Sequence, residues 1–326
     1  MMEALNPPVN ALINFFTSAQ QWIFESAVEP LAFALGLGHR LEEAFEGTGW
    51  FLVGVMQLLV LVLLIGPLQR WRPVEPVTNR ATVRTDIAYT LLHRLGFFRL
   101  ALFFTLTPLL DDLFGVFRVA GLGTFHLDDV WPGVTDQAWL SLLLYLLVID
   151  FLDYWMHRAQ HRFSWWWQLH SLHHAQRQMT MWSDNRNHLL DDLLRDTLLV
   201  TVAYLIGVAP AQFVLIVAIT QLSESFQHAN LRLWFGPFGE RVWVSPRFHR
   251  RHHSIGIGHE SQGKNTLGGA NFGVLLPWWD MLFGTANFEL RYDPTGVRDQ
   301  IEEGRDYGQG FWSQQWLGVL RLLGRA

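Results

Sequence analysis

Apolar runs of membrane-helix length, separated by short polar breaks, dominate the first half of the chain. Gly49 to Leu68 is an uncharged stretch rich in Leu and Val, matching the roughly 20 residues that cross a bilayer's hydrocarbon core. Ile87 to Leu110 is apolar apart from His93, Arg94 and Arg99, and Ala138 to Trp155 is apolar until Asp150 and Asp153. Both patterns predict spans. Ala11 to Leu37 is broken by Gln20, Gln21, Glu25 and Glu29, so it reads as a tilted span or an interfacial helix. Further on, Thr197 to Val208 and Ala211 to Leu222 are apolar runs hinged at Ala209-Pro210. Each is about 18 Å long as a helix, too short to cross alone. They form either one broken span or a re-entrant hairpin that returns to the same face. From Ser223 to Arg291 the chain is polar and glycine-rich around an interfacial stretch, Leu275 to Phe283. Phe311 to Leu323 reads as a short amphipathic helix at the membrane surface, with Trp312 and Trp316.

Charge adds orientation. Arg70, Arg72, Arg80 and Arg84 follow the Gly49 span, whereas Glu42, Glu43 and Glu46 precede it and Asp111, Asp112, Asp128, Asp129 and Asp136 lie beyond the next. The positive-inside rule makes the arginine loop cytoplasmic, and alternation puts the segment after Trp155 on the cytoplasmic side too. Only 16% of residues are charged and 50% are hydrophobic, well below the quarter charged in an ordinary soluble domain. The net charge of −5 offers no basic field for nucleic acid. The absence of cysteine excludes disulfides, thiolate zinc sites and iron–sulfur clusters. The N-terminus has no basic segment before its apolar stretch and carries Glu3, so it does not read as a cleaved signal peptide. Arginine almost replaces lysine, Lys264 being the exception, which points to a GC-rich bacterial genome and an inner membrane.

The expected architecture is an all-α integral membrane protein. It has about four transmembrane helices, the re-entrant hairpin and a cytoplasmic histidine-rich helical cap. One structural domain divides into N-terminal membrane helices (1–137), a histidine-rich region (138–290) and an amphipathic tail (291–326).

Of the 14 histidines, 11 fall between His157 and His259, in ordered groups: His157-x3-His161, His170-x2-His173-His174 and His249-x2-His252-His253. Residues three or four apart share a helix face, so each group presents two or three imidazoles to one point. Eight such rings facing one another without a metal would bury unpaired nitrogens. Neutral imidazole suits iron, copper, nickel and zinc, and eight donors exceed what one such ion takes. Two metals are implied, and both flanks of the hairpin must then share a face. His39, His93 and His126 have no such partners and read as structural or solvated.

Three such boxes following membrane helices and split by an apolar hairpin resemble the fatty acid hydroxylase and sterol desaturase superfamily of integral-membrane di-iron enzymes. Further resemblance lies in Asn187-His188, in Gln227-His228-Ala229-Asn230 and in Trp279-Asp280-Met281-Leu282-Phe283-Gly284-Thr285. It covers about Leu140 to Thr285. The resemblance implies that His157, His161, His170, His173, His174, His249, His252 and His253 ligate two irons, with His188 and His228 as additional ligands. It implies O2 as co-substrate, a lipid, fatty-acyl or sterol-type substrate from the bilayer, hydroxylation or desaturation as the outcome, and a separate electron-donor protein. Metal-bound histidines commonly donate their second ring proton to a carboxylate or carbonyl. Candidate acceptors are Asp153, Asp184, Asp191, Asp192 and Glu224, and His259 is a candidate for a ligand or for this outer role. Trp165-Trp166-Trp167 reads as an interfacial belt. Two other functions use histidine. A membrane zinc hydrolase normally needs a general-base carboxylate in a motif such as His-Glu-x2-His, absent here. A haem-carrying electron-transfer protein would place lone paired histidines within the spans.

Overall fold

In a computed structural model of the chain, residues 7–121, 123–255 and 269–326 are described. Every extended element among them is a helix, apart from a single isolated bridge between Ser254 and Thr295. Two of these helices, Gly38–Trp71 and Ala138–Arg162, are long and apolar enough to cross a membrane. They contain the spans expected at Gly49–Leu68 and Ala138–Trp155. The run expected as one span from Ile87 to Leu110 is instead divided. Gly96, with φ +80, separates the Arg80–Arg94 helix from the Phe97–Val119 helix, because a left-handed residue terminates a helix and glycine adopts it without strain.

The chain forms two compact units, 1–59 with 91–120 and 60–90 with 121–326. In the first, the Pro7–Ile23 helix is joined to the start of the Leu41–Val60 helix by a Gln20 side-chain bond to the Phe45 carbonyl (2.9 Å) and an edge-on Phe24–Phe45 contact. Many of its outward positions are apolar, among them Phe15, Trp22, Leu31 and Phe33.

The second unit holds the histidine-rich region. The hairpin arms, Leu189–Leu205 and Pro210–Gln227, are longer than the apolar runs that announce them, about 25 Å each at 1.5 Å per residue. Their polar ends stay helical. Both arms pack on the Ala138–Arg162 helix through Tyr145, Ile149, Ala203 and Ile216. The chain reverses at Gly207 (φ +76), where a Cβ would meet the His126 ring at 2.6 Å and where Tyr145 donates to the Gly207 carbonyl. At the other end Asp184, before the first arm, accepts from Ser225 of the second (3.0 Å). The two ends therefore meet, and the pair is a returning hairpin rather than one broken span.

Burial is inverted relative to a water-soluble protein. Trp139, Leu143, Leu198 and Leu215 face outward, while Asp150, Asp153, Asp191, Gln160 and the clustered histidines lie inside. An apolar exterior around a polar interior is what a bilayer stabilises and water does not. The C-terminal segment is not a detached tail. Its Phe311–Leu322 helix packs on the Ser164–His174 helix. It buries Gln314, Gln315, Gly318 and Arg321 and leaves Trp312 and Trp316 exposed.

Candidate metal centre

Four elements deliver the histidines. The Ala138–Arg162 helix carries His157 and His161 on one face at its last turns, and the Ser164–His174 helix ends in His170, His173 and His174. The Pro210–Gln227 arm stops at His228. The fourth is a short helix, Pro246–His252. Its start is fixed by Pro246 and by the Ser245 hydroxyl, which accepts from the Phe248 N–H (3.0 Å). Ser245 in turn donates to Glu240, which pairs with the buried Arg247. So short a helix would not persist alone; these contacts hold it where His249, His252 and His253 face the others.

The rings assemble into two groups of four, His157, His161, His170 and His174, and His173, His228, His249 and His253, with His174, His252 and His253 forming a bridging set. All are buried. The Nε2 atoms of His173 and His228 lie 3.2 Å apart, those of His228 and His249 3.1 Å, and those of His249 and His253 3.1 Å. His252 and His174 meet in the same way at 3.2 Å. Two nitrogens each about 2.1 Å from a metal and at right angles to one another would lie about 3 Å apart, so these spacings fit ligands converging on a cation.

Tautomers support this. A carbonyl only accepts, so the Nδ1 atoms of His157, His228 and His252, 2.9, 2.7 and 2.7 Å from the carbonyls of Phe272, Glu224 and Ala270, must carry the proton. Their Nε2 lone pairs are then bare and point into the cluster. Bare lone pairs facing each other repel, and a metal between them removes the repulsion. Burial, reinforced by the neighbouring imidazoles, pushes His173, His174, His249 and His253 well below the usual histidine range, and burial takes His252 down to about 3. Neutral rings are the form that binds metal. The donor set is all nitrogen, which suits iron, copper, nickel or zinc.

Of the ten histidines expected as ligands, nine converge. His188 does not. Its Nδ1 caps the first hairpin arm by accepting from the Leu190 N–H (3.2 Å), and its Nε2 lies 2.8 Å from the Gln315 carbonyl. Gly318 allows this packing, since a Cβ there would stand 2.2 Å from the His188 ring. His188→Ala is therefore expected to keep the bound metal while lowering stability by about 1 kcal/mol, the usual effect of losing a cap. Metal content and thermal unfolding in one detergent check this. His259 lies outside the described residues.

The expected carboxylates divide as well. Asp191 accepts from His170 Nδ1 (3.0 Å), from the Gln160 amide (2.7 Å) and from the Trp166 indole (2.6 Å). Asp184 lies 3.9 Å from His228 Nδ1. The others have different partners. Asp153 faces Arg195 (3.7 Å), Asp192 takes a bond from the Asn187 side chain, and Glu224 serves His228 through its main-chain carbonyl. Nor is the tryptophan run a belt. Trp165 is 50% exposed, whereas Trp166 and Trp167 are each 5% exposed, and Trp167 packs against His161 and His174.

Some positioning residues carry no sequence signal for the role they play. Asp280 accepts from the N–H groups of Phe272 and Gly273 (2.8 and 2.7 Å) and from the Thr285 hydroxyl (2.6 Å). Asp150 does the same for Leu275 and Leu276. Asn271, at φ +61, ties the Phe248 carbonyl to the same loop. Together they aim the Ala270 and Phe272 carbonyls at His252 and His157.

Residues 142–285 match the fatty acid hydroxylase family. The chain is 28% identical over 259 residues to an ornithine lipid hydroxylase of Rhizobium tropici, covering 78% of this chain and 73% of that protein. A fatty acid hydroxylase of Lecanicillium sp is 27% identical over 179 residues, 49% of this chain and 46% of its own length. An alkylglycerol monooxygenase of Caenorhabditis elegans is 27% identical over 160 residues, 49% of this chain and 29% of its own. No solved structure matches the chain.

Proposed function

From the match of residues 142–285 to the fatty acid hydroxylase family we propose that this chain is an O2-dependent, di-iron membrane enzyme that hydroxylates the hydrocarbon chain of a membrane lipid. The observation that carries the reading is the convergence of nine buried imidazoles into two adjoining groups. His157, His161, His170 and His174 would hold one iron, and His173, His228, His249 and His253 the other, with His252 between. Two irons there would supply the activation of O2 that oxygen insertion into an unactivated C–H bond requires.

The chain's own residues orient and exclude. Carbonyls of Ala270, Phe272 and Glu224 and the Asp191 carboxylate fix four rings in the metal-binding tautomer. Phe272, fully buried, closes over His157, His161 and His252 and keeps water from them. An aromatic wall leads outward from it, through Tyr154 to Phe283, Trp155, Phe151 and Trp279, several of which are half-exposed. It offers an acyl chain an apolar approach from the bilayer. Similarity to an ornithine lipid hydroxylase favours a polar-headed acyl lipid over a sterol.

The remaining expectations join this reading: about four spans with the re-entrant hairpin, a bacterial inner membrane, the centre on the cytoplasmic side, and a separate electron donor. Comparative lipidomics of cells with and without the chain tests the activity. A lipid one oxygen atom heavier is the expected product, a lipid two hydrogens lighter would make the enzyme a desaturase, and an unchanged lipidome with one zinc per chain would overturn the proposal.

A further inference from the structure

The clustered histidines are buried, so a carrier protein would not touch a metal held there and electrons would cross intervening protein. Asp191 is the carboxylate bonded to a ligand ring, and one of its three donors leads to the surface. The Trp166 indole N–H lies 2.6 Å from Asp191 Oδ1, and Asp191 Oδ2 lies 3.0 Å from His170 Nδ1. The Trp166 ring is stacked on Trp165, with centroids 5.3 Å apart and planes 11° from parallel. Trp165 is 50% exposed, and Arg162, Phe163 and Ser164 beside it are exposed too. A pair of interfacial anchors would turn both rings to the lipid; here the second turns inward and is hydrogen-bonded to the support of a metal ligand.

We propose that Trp165, Trp166 and Asp191 form the path by which single electrons pass from a one-electron carrier protein to the metal bound at His170. The inference rests on the di-iron hydroxylase reading and names its point of reduction. The indole pair acts as a tunnelling bridge. Each transfer oxidises the carrier by one electron and reduces one iron from ferric to ferrous, with no bond made or broken and no proton moved along the path. Two transfers, with O2 and two protons, balance one hydroxylation to alcohol and water.

The cysteine-free chain makes the test direct. A ruthenium tris-bipyridyl photosensitiser is attached to a Ser164→Cys protein loaded with iron, and a flash in the presence of ascorbate injects one electron beside Trp165. Loss of ferric absorbance reports the transfer. Trp165→Leu and Trp166→Phe are each expected to slow it severalfold, because each removes one member of the bridge. Trp165→Tyr, which keeps a stacked ring, is expected to recover most of the rate. Iron content, and reduction by the small diffusible reductant dithionite, should stay at the parent level, which a merely structural role for the indoles would not give. Unchanged flash rates in both variants at full iron content would overturn the path. A parent chain that binds no redox-active metal would instead remove the hydroxylase reading, and the path with it.

Discussion

Replacing His174 by alanine is expected to abolish lipid hydroxylation and to lower bound iron. His174 belongs to the first group of four and also to the set with His252 and His253, its Nε2 lying 3.2 Å from that of His252. Its ring stacks on His253 with centroids 4.3 Å apart. One substitution therefore removes a ligand and the packing that aligns the second group. Loss of an outer partner alone costs 10- to 100-fold, so turnover should fall by more than about 100-fold. Iron per chain and product formation, measured beside His188→Ala in the same detergent, give the comparison. A His174→Ala protein with full iron and full activity would sink the assignment of both groups.

Asp191→Asn should be nearly as damaging although it changes a single atom's chemistry. Asp191 meets three donors, with Gln160 and Trp166 on Oδ1 and His170 on Oδ2. Asparagine can satisfy the first two with its carbonyl, but its amide then points N–H groups at the His170 N–H. The clash is relieved if His170 moves its proton to Nε2, which is the nitrogen needed for the metal. Iron affinity is expected to fall about 10- to 100-fold, with little change in volume at a buried site. Titration of the metal-free protein with ferrous iron reads this out, and an unaltered affinity would show that His170 does not depend on Asp191.

The convergence of nine histidines is legible in the chain because each box repeats at helical spacing, and a helix turns that spacing into one face without help from the rest of the fold. His188 follows the same composition yet serves a different purpose. It stands at a helix start, where an imidazole nitrogen can cap as readily as ligate, and the deciding contact, Gln315, is 127 residues away. The hairpin arms read short because the apolar runs are bounded by Arg195 and Asp196 on one arm and by Ser223 on the other, although those residues remain helical. Asp150, Asn271 and Asp280 act on main-chain groups of one loop, and such a role has no periodicity to detect. Trp166 reads as one more member of a tryptophan run, and only its indole N–H bond to Asp191 reveals that it belongs to the polar interior.

The last helix carries a consequence for how the protein is made. Gln315 accepts from the Leu189 N–H through its side chain, donates to Tyr89 and to the Asn187 carbonyl, and offers its own carbonyl to His188. Arg321 bonds the Gln168 carbonyl on the helix that bears three of the ligands. A nascent chain still held in the ribosome at residue 311 has all nine imidazoles but not the clamp that seats two of their supporting helices. A stop codon shortly before Phe311 is therefore expected to yield a protein that keeps all nine imidazoles yet holds metal less tightly than the full chain.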